Sequence, residues 1–416
     1  MSLHMMLSLL RRHSLIPLLL ALQVAMACAI LCNVLFLAWQ RLEPMLADSG
    51  MDEANLILVD NVYSSKGAFS PAQLQAVVLA LRQAPGVASV SPAFGLPMVT
   101  SGLVDFALQG PTGVKVGTNG YFGEGLVKTL GLKLTAGRDF LPGEYLDWGV
   151  GYEGAKQDEA ATRPIIITQS LATQLFGSTQ PLGQLLSDPG DKQGKTHYQV
   201  IGVVAHLLRN QLSLANHGRA DNTILVSYRL AGGYMLSFGV RSQPAMRELA
   251  LAGVRKAVER ELRTMMGVDA QPKISFYAER RAAAFKNDRA VLWLFGGVIA
   301  AVVVVVLLGI MGLSGFWVQQ RTRQIGIHRA LGARRGDVLR HFLLENALIT
   351  AVGIALGMGL AFLGNRLLMA HYELPSLPWG YLPLGALLML ALGQLAVLSP
   401  ALRASNVPPV VATRSL

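Results

Sequence analysis

The chain has 416 residues, of which 52% are hydrophobic and only 15% are charged, and its mean hydropathy is +0.42. This composition excludes an ordinary water-soluble protein and predicts segments that cross a membrane. The net charge of +11 does not indicate nucleic-acid binding, because residues 40–290 carry 25 basic and 22 acidic residues and are nearly neutral.

Residues 15–39 are the first of four segments that are apolar and long enough to span a bilayer, which requires about 20 residues. The segment is too long for the core of a signal peptide, and no small-residue cleavage site follows it, so we expect an uncleaved anchor. The only two cysteines, Cys28 and Cys32, lie in this segment. The rest of the chain therefore has neither a disulfide framework nor a thiolate metal site.

Residues 40–287 have the pattern of a folded α+β domain that ends in a helical stalk. The stretch "SPAQLQAVVLALRQAPGV" predicts a capped helix that begins at Ser-Pro and stops at Pro-Gly. Residues 223–230 and 235–242 predict a pair of strands joined through two glycines. Residues 141–162 predict a long loop. The stretch "FYAERRAAAFKNDRAVLWLF" contains no helix breaker, so we expect the helix of the second span to begin well outside the bilayer.

The other spans are predicted at residues 291–318, 342–369 and 381–401. The connector at residues 319–341 contains six of the 11 basic residues that lie outside 40–290, against one acid. Short loops rich in arginine stay in the cytoplasm. The remaining segments are a cytoplasmic N-terminus, a loop on the opposite side of the membrane and a cytoplasmic tail, at residues 1–14, 370–380 and 402–416. We therefore predict four membrane helices, both termini in the cytoplasm, and an α+β domain between helices 1 and 2 on the opposite side of the membrane.

Several residues within the spans are candidates for special roles. Gly353 and Gly357 have the Gly-x-x-x-Gly spacing that allows helices to approach closely, although glycine is also tolerated on a lipid-facing surface. Glu345 is an intramembrane acid and hence a functional candidate. Arg340 and His341 lie about one turn from Glu345. We therefore favour a carboxylate that snorkels to the membrane surface, or one that forms a pair at the helix end, over a carboxylate on a transport path. For four other polar residues we expect hydrogen bonds between helices: Gln23, Asn33, Asn346 and Gln394.

The sequence lacks the motifs of the common catalytic sites. "PGDKQGKT" (residues 189–196) approaches a phosphate-binding loop, but proline occupies the position of the first glycine, so a polar hairpin loop explains it better. There is neither a His-Glu-x-x-His nor a Gly-x-Ser-x-Gly motif, and the eight histidines are scattered. We predict no catalytic residue, no metal site and no directly bound cofactor.

The connector carries the most specific signal in the sequence. The stretch "RTRQIGIHRALGARRGDVLRHFLLENAL" resembles the signature of the FtsX-like, MacB-type permease family of ABC transporters. The matching residues are Arg321, Arg323, Ile325, Gly326, Ile327, Arg329, Ala330, Leu331, Gly332, Ala333, Asp337, Val338, Leu339 and Glu345. "YFGEGLVKTLGLKLTAGRDF", "IIITQSLATQLFGSTQPLGQLL" and the tail "SPALRASNVPPVVATRSL" are similar to further blocks of that family, so the resemblance covers nearly the whole chain.

The resemblance implies that the connector is the element that couples the permease to an ATPase. Its apolar residues would seat in a cleft of the partner, its glycines at 326, 332 and 336 would permit tight turns, and Asp337 would cap the third span. The coupling residues implied are Arg323, Gln324, Ile325, Gly326, Ile327, His328, Arg329, Ala330, Leu331, Gly332, Ala333 and Asp337. Gln324 and His328 depart from the Glu and Arg usual there, which is compatible with an asymmetric pair of paralogous permeases. The alternative is a membrane-surface anchor without a partner.

The family implies a non-catalytic permease subunit of the inner membrane, with the α+β domain and the loop at residues 370–380 in the periplasm. A dimer of cytoplasmic ABC ATPases would bind ATP and Mg, and a second permease chain, identical or not, would complete the complex. Movement of the periplasmic domain would drive export of peptides, antibiotics or toxins, with a periplasmic adaptor and an outer-membrane channel as further partners beside membrane lipid. A lipoprotein-release permease and a membrane receptor are the alternatives. The sequence identifies neither the cargo nor the direction of transport.

Overall fold

The computed structural model describes residues 15–99, 102, 104–150, 162–177, 180–191, 196–210, 220–263, 266, 271–330, 334–372 and 380–405. The chain divides into two compact units. The first, here called the inserted domain, is Pro44–Lys286, and the second, the helix bundle, is formed by Met1–Glu43 together with Asn287–Leu416.

The described residues form four long helices and five shorter ones. They are α1 (Leu15–Leu46), α2 (Pro71–Arg82), α3 (Leu126–Leu130), α4 (Gln169–Phe176), α5 (Arg247–Leu262), α6 (Tyr277–Ala284), α7 (Lys286–Ala330), α8 (Arg335–Tyr372) and α9 (Tyr381–Ser405). Helices α1, α7, α8 and α9 are long and apolar enough to cross a membrane. The prediction of four membrane helices is therefore confirmed by length and composition.

The strands of the described residues all belong to the inserted domain. They are β1 (Leu56–Tyr63), β2 (Val87–Phe94), β3 (Asp105–Gln109), β4 (Lys115–Gly123), β5 (Leu134–Gly137), β6 (Leu146–Trp148), β7 (Thr162–Thr168), β8 (Leu185–Ser187), β9 (His197–Val204), β10 (Thr223–Val226), β11 (Tyr228–Leu230), β12 (Met235–Ser242) and β13 (Lys273–Phe276). Together with the helices they confirm the α+β class.

The inserted domain combines an open sheet with a closed one. Strands β2, β12, β1 and β13 form an antiparallel sheet in that order, and α2 and α5 pack together beside it. Strands β4, β10, β7, β9, β8 and β3 pair in sequence, and β3 pairs with β4, so these six strands close into a ring. The two sheets join where Ala93 and Phe94 of β2 pair with Gly123 and Phe122 of β4.

Local signals in the sequence account for the helix α2. Ser70 is its N-cap, and the side chain of Ser70 accepts a hydrogen bond from the Gln73 N–H while the Gln73 side chain accepts from the Ser70 N–H. This reciprocal capping satisfies two donors that the first turn cannot satisfy itself. Pro71 fits the first helical position, and the helix ends at Arg82, shortly before Pro85.

The predicted pairing of residues 223–230 with 235–242 is wrong. β10 pairs with β4 and β7, β11 pairs with β6, and β12 pairs with β1 and β2. Gly232 and Gly233 have φ angles of +145° and +124°, and the main chain of Gly233 exchanges two hydrogen bonds with that of Phe69. The glycines therefore carry the chain into another sheet instead of reversing it.

Two further expectations about the inserted domain need correction. The predicted continuous helix through residues 276–295 is interrupted at Phe285, between α6 and α7. Phe285 is buried at this junction, with 7% of its surface exposed, and no proline or glycine lies between residues 276 and 295. The predicted loop at residues 141–162 contains the strand β6, which pairs with β11, while residues 151–161 lie outside the described part.

Candidate coupling site

The connector begins as a direct extension of the second apolar helix. Helix α7 has 45 residues and continues to Ala330, well beyond the predicted end of the span at residue 318. At 1.5 Å per residue it is about 67 Å long, more than twice the roughly 30 Å of a hydrocarbon core. The helix must therefore project from a bilayer at one end at least.

The candidate coupling residues are distributed over this helix and the segment after it. Residues 323–330 are helical, and of the side chains at positions 321–330 the structure describes only that of Ile327, which is 49% exposed. Leu331, Gly332 and Ala333 lie outside the described residues. The expected tight turn at Gly326 is wrong, because this glycine lies within α7.

Asp337 lies at the start of the next long helix. One oxygen of its carboxylate accepts a hydrogen bond from the Arg334 N–H at 3.0 Å. Arg334 precedes the first residue of α8, so Asp337 caps the helix from the third helical position, which is the second half of the reciprocal capping arrangement. A carboxylate in the first turn also interacts favourably with the positive end of the helix dipole. Gly336 lies in that same first turn rather than in a separate loop.

Apolar residues join the start of α8 to the rest of the helix bundle. Val338 and Phe342 are each 8% exposed and belong to the same buried cluster as Trp317 of α7 and Ala401 of α9. By contrast, the side chains of Arg334, Arg335 and Arg340 are exposed. The described part of the connector thus presents cationic groups at its surface while apolar contacts anchor it.

Glu345 is buried one turn further along α8. Its side chain is 2% exposed, which overturns the expectation that the carboxylate snorkels to the surface. It lines a cavity of about 10 Å³, about the space of one water molecule, together with Ser314 of α7 and Pro400 of α9. The neighbouring Asn346 donates a hydrogen bond from Nδ2 to the main-chain oxygen of Gly393 at 3.1 Å.

Gly353 and Gly357 lie against α1. A Cβ atom at Gly353 would lie 2.8 Å from the main-chain oxygen of Ala21, and one at Gly357 would lie 2.6 Å from that of Ala25. Real Cβ atoms do not approach so closely, so glycine is needed at both positions for this helix contact. On the same helix, a Cβ at Gly359 would meet nothing within 4 Å among the described residues.

Polar residues of the spans join helices, as the sequence predicted for most of them. Gln23 of α1 donates to the main-chain oxygen of Val305 at 3.0 Å, and Asn33 donates to that of Ala361 at 3.3 Å. With Asn346, these bonds confirm three of the four predicted interhelical contacts. For Nε2 of Gln394, which is buried, the described residues offer no hydrogen-bond partner.

Sequence reasoning missed two buried polar residues beside this site. Ser314 of α7 is 8% exposed and Thr350 of α8 is 1% exposed, and a Cβ at Gly393 would lie 3.1 Å from the Thr350 hydroxyl. The signal that could have revealed Thr350 is its spacing from Asn346, four residues apart and hence on one helix face.

The segment 189–196 connects β8 to β9, which pair antiparallel, as predicted for a polar hairpin, although residues 192–195 lie outside the described part. Asp188, directly before the segment, accepts a hydrogen bond from the Gly190 N–H at 2.7 Å, an arrangement typical of a turn. Among the residues that the structure describes, no group of three or more His, Cys, Asp or Glu could hold a metal ion.

Family models match both parts of the chain. Residues 296–409 match the model "FtsX-like permease C-terminal", and residues 19–263 match the "MacB-like periplasmic core domain". The chain belongs to the FtsX-like permease family with a MacB-like core domain. The permease signature read from residues 321–345 is thereby confirmed, and the matched range includes the connector, α8 and α9.

Curated relatives agree with this assignment. The permease is 30% identical over 239 residues to "Pyoverdine export ATP-binding/permease protein PvdT" of Pseudomonas aeruginosa, a match covering 55% of this chain and 34% of that one. It is 27% identical over 303 residues to "Uncharacterized ABC transporter permease YknZ" of Bacillus subtilis, covering 70% of this chain and 68% of that one. It is 30% identical over 209 residues to "Macrolide export ATP-binding/permease protein MacB 1" of Aeromonas hydrophila, covering 49% and 30%. The matches thus span about a third of the two ATP-binding relatives.

Proposed function

We propose that this permease is the membrane subunit of an ABC exporter and that a separate cytoplasmic ATPase drives it. ATP and Mg bind to that ATPase, two copies of which face two permease chains. ATP-driven movement of the connector passes through the helix bundle to the inserted domain and moves cargo of the peptide, antibiotic or toxin class, with a periplasmic adaptor and an outer-membrane channel completing the path. The family assignment supports the transporter class, and two of the relatives named above are export proteins.

The observation that carries the coupling role is the continuity of α7. One helix contains both the apolar segment and residues 319–330 of the connector, without a break in its backbone. A force applied to the exposed Ile327 therefore acts on the same rigid element as the span itself. The exposed arginines at the start of α8 suit an acidic rim around an apolar cleft on the partner.

Co-purification and coupled hydrolysis test this function together. We expect the full-length chain, purified in mild detergent, to retain an ABC ATPase in a complex of two permeases and two ATPases. Ile327→Asp, or the pair Arg329→Glu and Leu331→Asp, should abolish the effect of the permease on ATP hydrolysis, because a charge in an apolar contact must be desolvated. Ile327→Leu keeps the apolar contact and should retain the effect. Equal coupling in Ile327→Asp and Ile327→Leu would contradict the proposal.

The orientation is tested separately by cysteine labelling from the two sides of the membrane. We place the permease in the inner membrane with both termini and the connector in the cytoplasm and the inserted domain in the periplasm. In a background with Cys28 and Cys32 replaced by serine, Ile327→Cys should react only after the membrane is permeabilised. Leu185→Cys, whose native side chain is 49% exposed, should react in intact cells with an opened outer membrane. Reaction of both from the same side would overturn the placement.

A further inference from the structure

The inserted domain contains a groove of about 670 Å³ that the coupling role does not use. One wall is a single face of α2, since its members recur at intervals of three or four residues. They are Pro71, Leu74, Gln75, Val78, Leu79 and Arg82. The opposite wall comes from residues in β2, β6 and β11 or directly after β4 and β11, so the groove lies between a helix and a strand ribbon. Its volume falls within the range of ligand sites in proteins.

The wall formed by α2 offers apolar surface that the core leaves uncovered. Leu81 and Val77 are buried in the core of the domain, whereas Leu79 is 57% exposed and Val78 is half-buried. An exposed leucine alone needs no explanation. Here, however, the exposed side chain lies in a concave site next to Val78 and Leu74, and such sites usually take an apolar group of a ligand.

The opposite wall rests on tightly packed aromatic residues. The ring centroids of Phe122 and Tyr228 lie 4.8 Å apart, and those of Phe122 and Trp148 lie 5.2 Å apart. The guanidinium of Arg163 stacks over the Tyr228 ring at 5.1 Å from its centroid. Such contacts hold the ribbon of β6 and β11 in place. The groove therefore needs little rearrangement to accept a ligand.

Charged groups of both signs border the groove. Arg229 and Asp147 neutralise each other, because their side chains pair at 2.7 Å. Arg82 and Glu124 take part in no ion pair with any residue that the structure describes. Burial raises the pKa of the nearby Tyr145 to about 12, and the carboxylates of Asp139, Glu124 and Glu144 contribute to the rise.

We infer that this groove binds an extended peptide segment with apolar side chains, a cationic group beside Glu124 and an anionic group beside Arg82. The 12 residues of α2 extend about 18 Å, which matches about five to six residues of extended chain. A peptide fits better than an acyl chain, since an acyl chain carries no charged groups that could pair with Arg82 and Glu124. The role of the groove as a cargo site rests on the proposed export function, whereas its ability to bind a peptide does not.

Fluorescence polarisation with the full-length chain in lipid nanodiscs tests the inference without any ATPase. The probe is a fluorescein-labelled heptapeptide with a lysine at one end, an aspartate at the other, and leucine, valine and serine between them. We expect saturable binding, weakened about tenfold or more by Leu79→Glu, because one buried leucine contributes about 1.5–3 kcal/mol. Ala76→Glu is the matched control. It makes the same charge change at an exposed position of α2 that does not line the groove.

A charge reversal tests the polarity of the groove. Glu124→Lys should weaken binding of the lysine-bearing probe and strengthen binding of a probe in which glutamate replaces that lysine. Absence of saturable binding, equal effects of Leu79→Glu and Ala76→Glu, or a probe preference that Glu124→Lys does not change would each overturn the inference. Displacement by lipid but not by unlabelled peptide would also overturn it in favour of an acyl chain. Loss of coupling in Ile327→Asp does not enter this test, so the two proposals fail independently.

Discussion

The guanidinium of Arg281 donates a hydrogen bond to the main-chain oxygen of Ala47 at 2.5 Å. The same group also donates to the main-chain oxygens of Pro44 and Met45, and it pairs with the carboxylate of Glu53. Pro44 is the first residue of the inserted domain and Arg281 precedes its last residue by five positions. One side chain thus joins the segment where the chain enters this domain to the helix by which it leaves.

Replacing Arg281 should therefore loosen both ends of the inserted domain. We expect Arg281→Ala to lower its free energy of unfolding by about 2–4 kcal/mol, because the change leaves a carboxylate and several carbonyls without their donor. Thermal unfolding followed by circular dichroism, with hydrogen exchange at residues 44–47, measures the effect. Arg263→Ala, at a side chain that is 81% exposed, is the control. If both variants show the same hydrogen exchange at residues 44–47, Arg281 does not hold the two ends of the inserted domain together.

The contact between α8 and α1 predicts a sharp difference between two glycines. Gly357→Leu would bring a side chain against the backbone of Ala25 and should destabilise the detergent-solubilised bundle by about 1–3 kcal/mol, as overpacking does. Gly359→Leu should have little effect, because its Cβ would meet nothing within 4 Å in the described structure. The midpoint of thermal unfolding in detergent gives the comparison. A similar midpoint for both variants would show that the close helix approach is absent.

The cap of α8 predicts a graded response at Asp337. Asp337→Ala removes the acceptor for the Arg334 N–H and should cost about 0.5–2 kcal/mol at the start of this helix. Asp337→Asn keeps an oxygen acceptor without the charge and should lose less. Hydrogen exchange at residues 334–340 reports local opening. If Asp337→Asn exchanges as fast as Asp337→Ala, the dipole interaction rather than the hydrogen bond holds the helix start.

The ion pair between Arg138 and Glu144 predicts a dependence of stability on pH. Hydrogen bonds from the Arg138 guanidinium hold the pKa of Glu144 below its ordinary value of 4.5. Because the folded-state pKa is depressed, the stabilisation is present above that ordinary value and is lost as the pH falls through the folded-state value. The difference in melting temperature between wild type and Glu144→Gln should therefore be constant near neutral pH and shrink as the pH falls below 4.5. A difference that stays the same at acidic pH would contradict the stabilising role of this ion pair.

Features encoded by neighbouring residues could be predicted, whereas those set by distant partners could not. The helix α2 follows from Ser70, Pro71 and Gln73 alone, because its cap is local. β10 pairs with β4, and β12 pairs with β1, each more than a hundred residues earlier in the chain, so adjacency in sequence suggested the wrong pair. The sequence likewise offers no breaker at Phe285, where α6 and α7 separate.

The same distinction applies to the coupling site. An ordered motif in residues 321–345 identified the family, and the Gly353/Gly357 spacing predicted the possibility of a close contact. The burial of Glu345 was not predictable, because the residues that enclose it come from α7 and α9. The turn expected at Gly326 was based only on the low helix propensity of glycine. The cost of glycine within a helix is only about 1 kcal/mol, which the surrounding helix of 45 residues can absorb.

The unbroken length of α7 has a geometric consequence for small motions. A straight rod of about 67 Å that tilts by about 5° about one end displaces the other by about 6 Å. That sideways displacement is about half the diameter of a helix with its side chains, so a tilt of a few degrees at one end is enough to move the other end away from a packed neighbour.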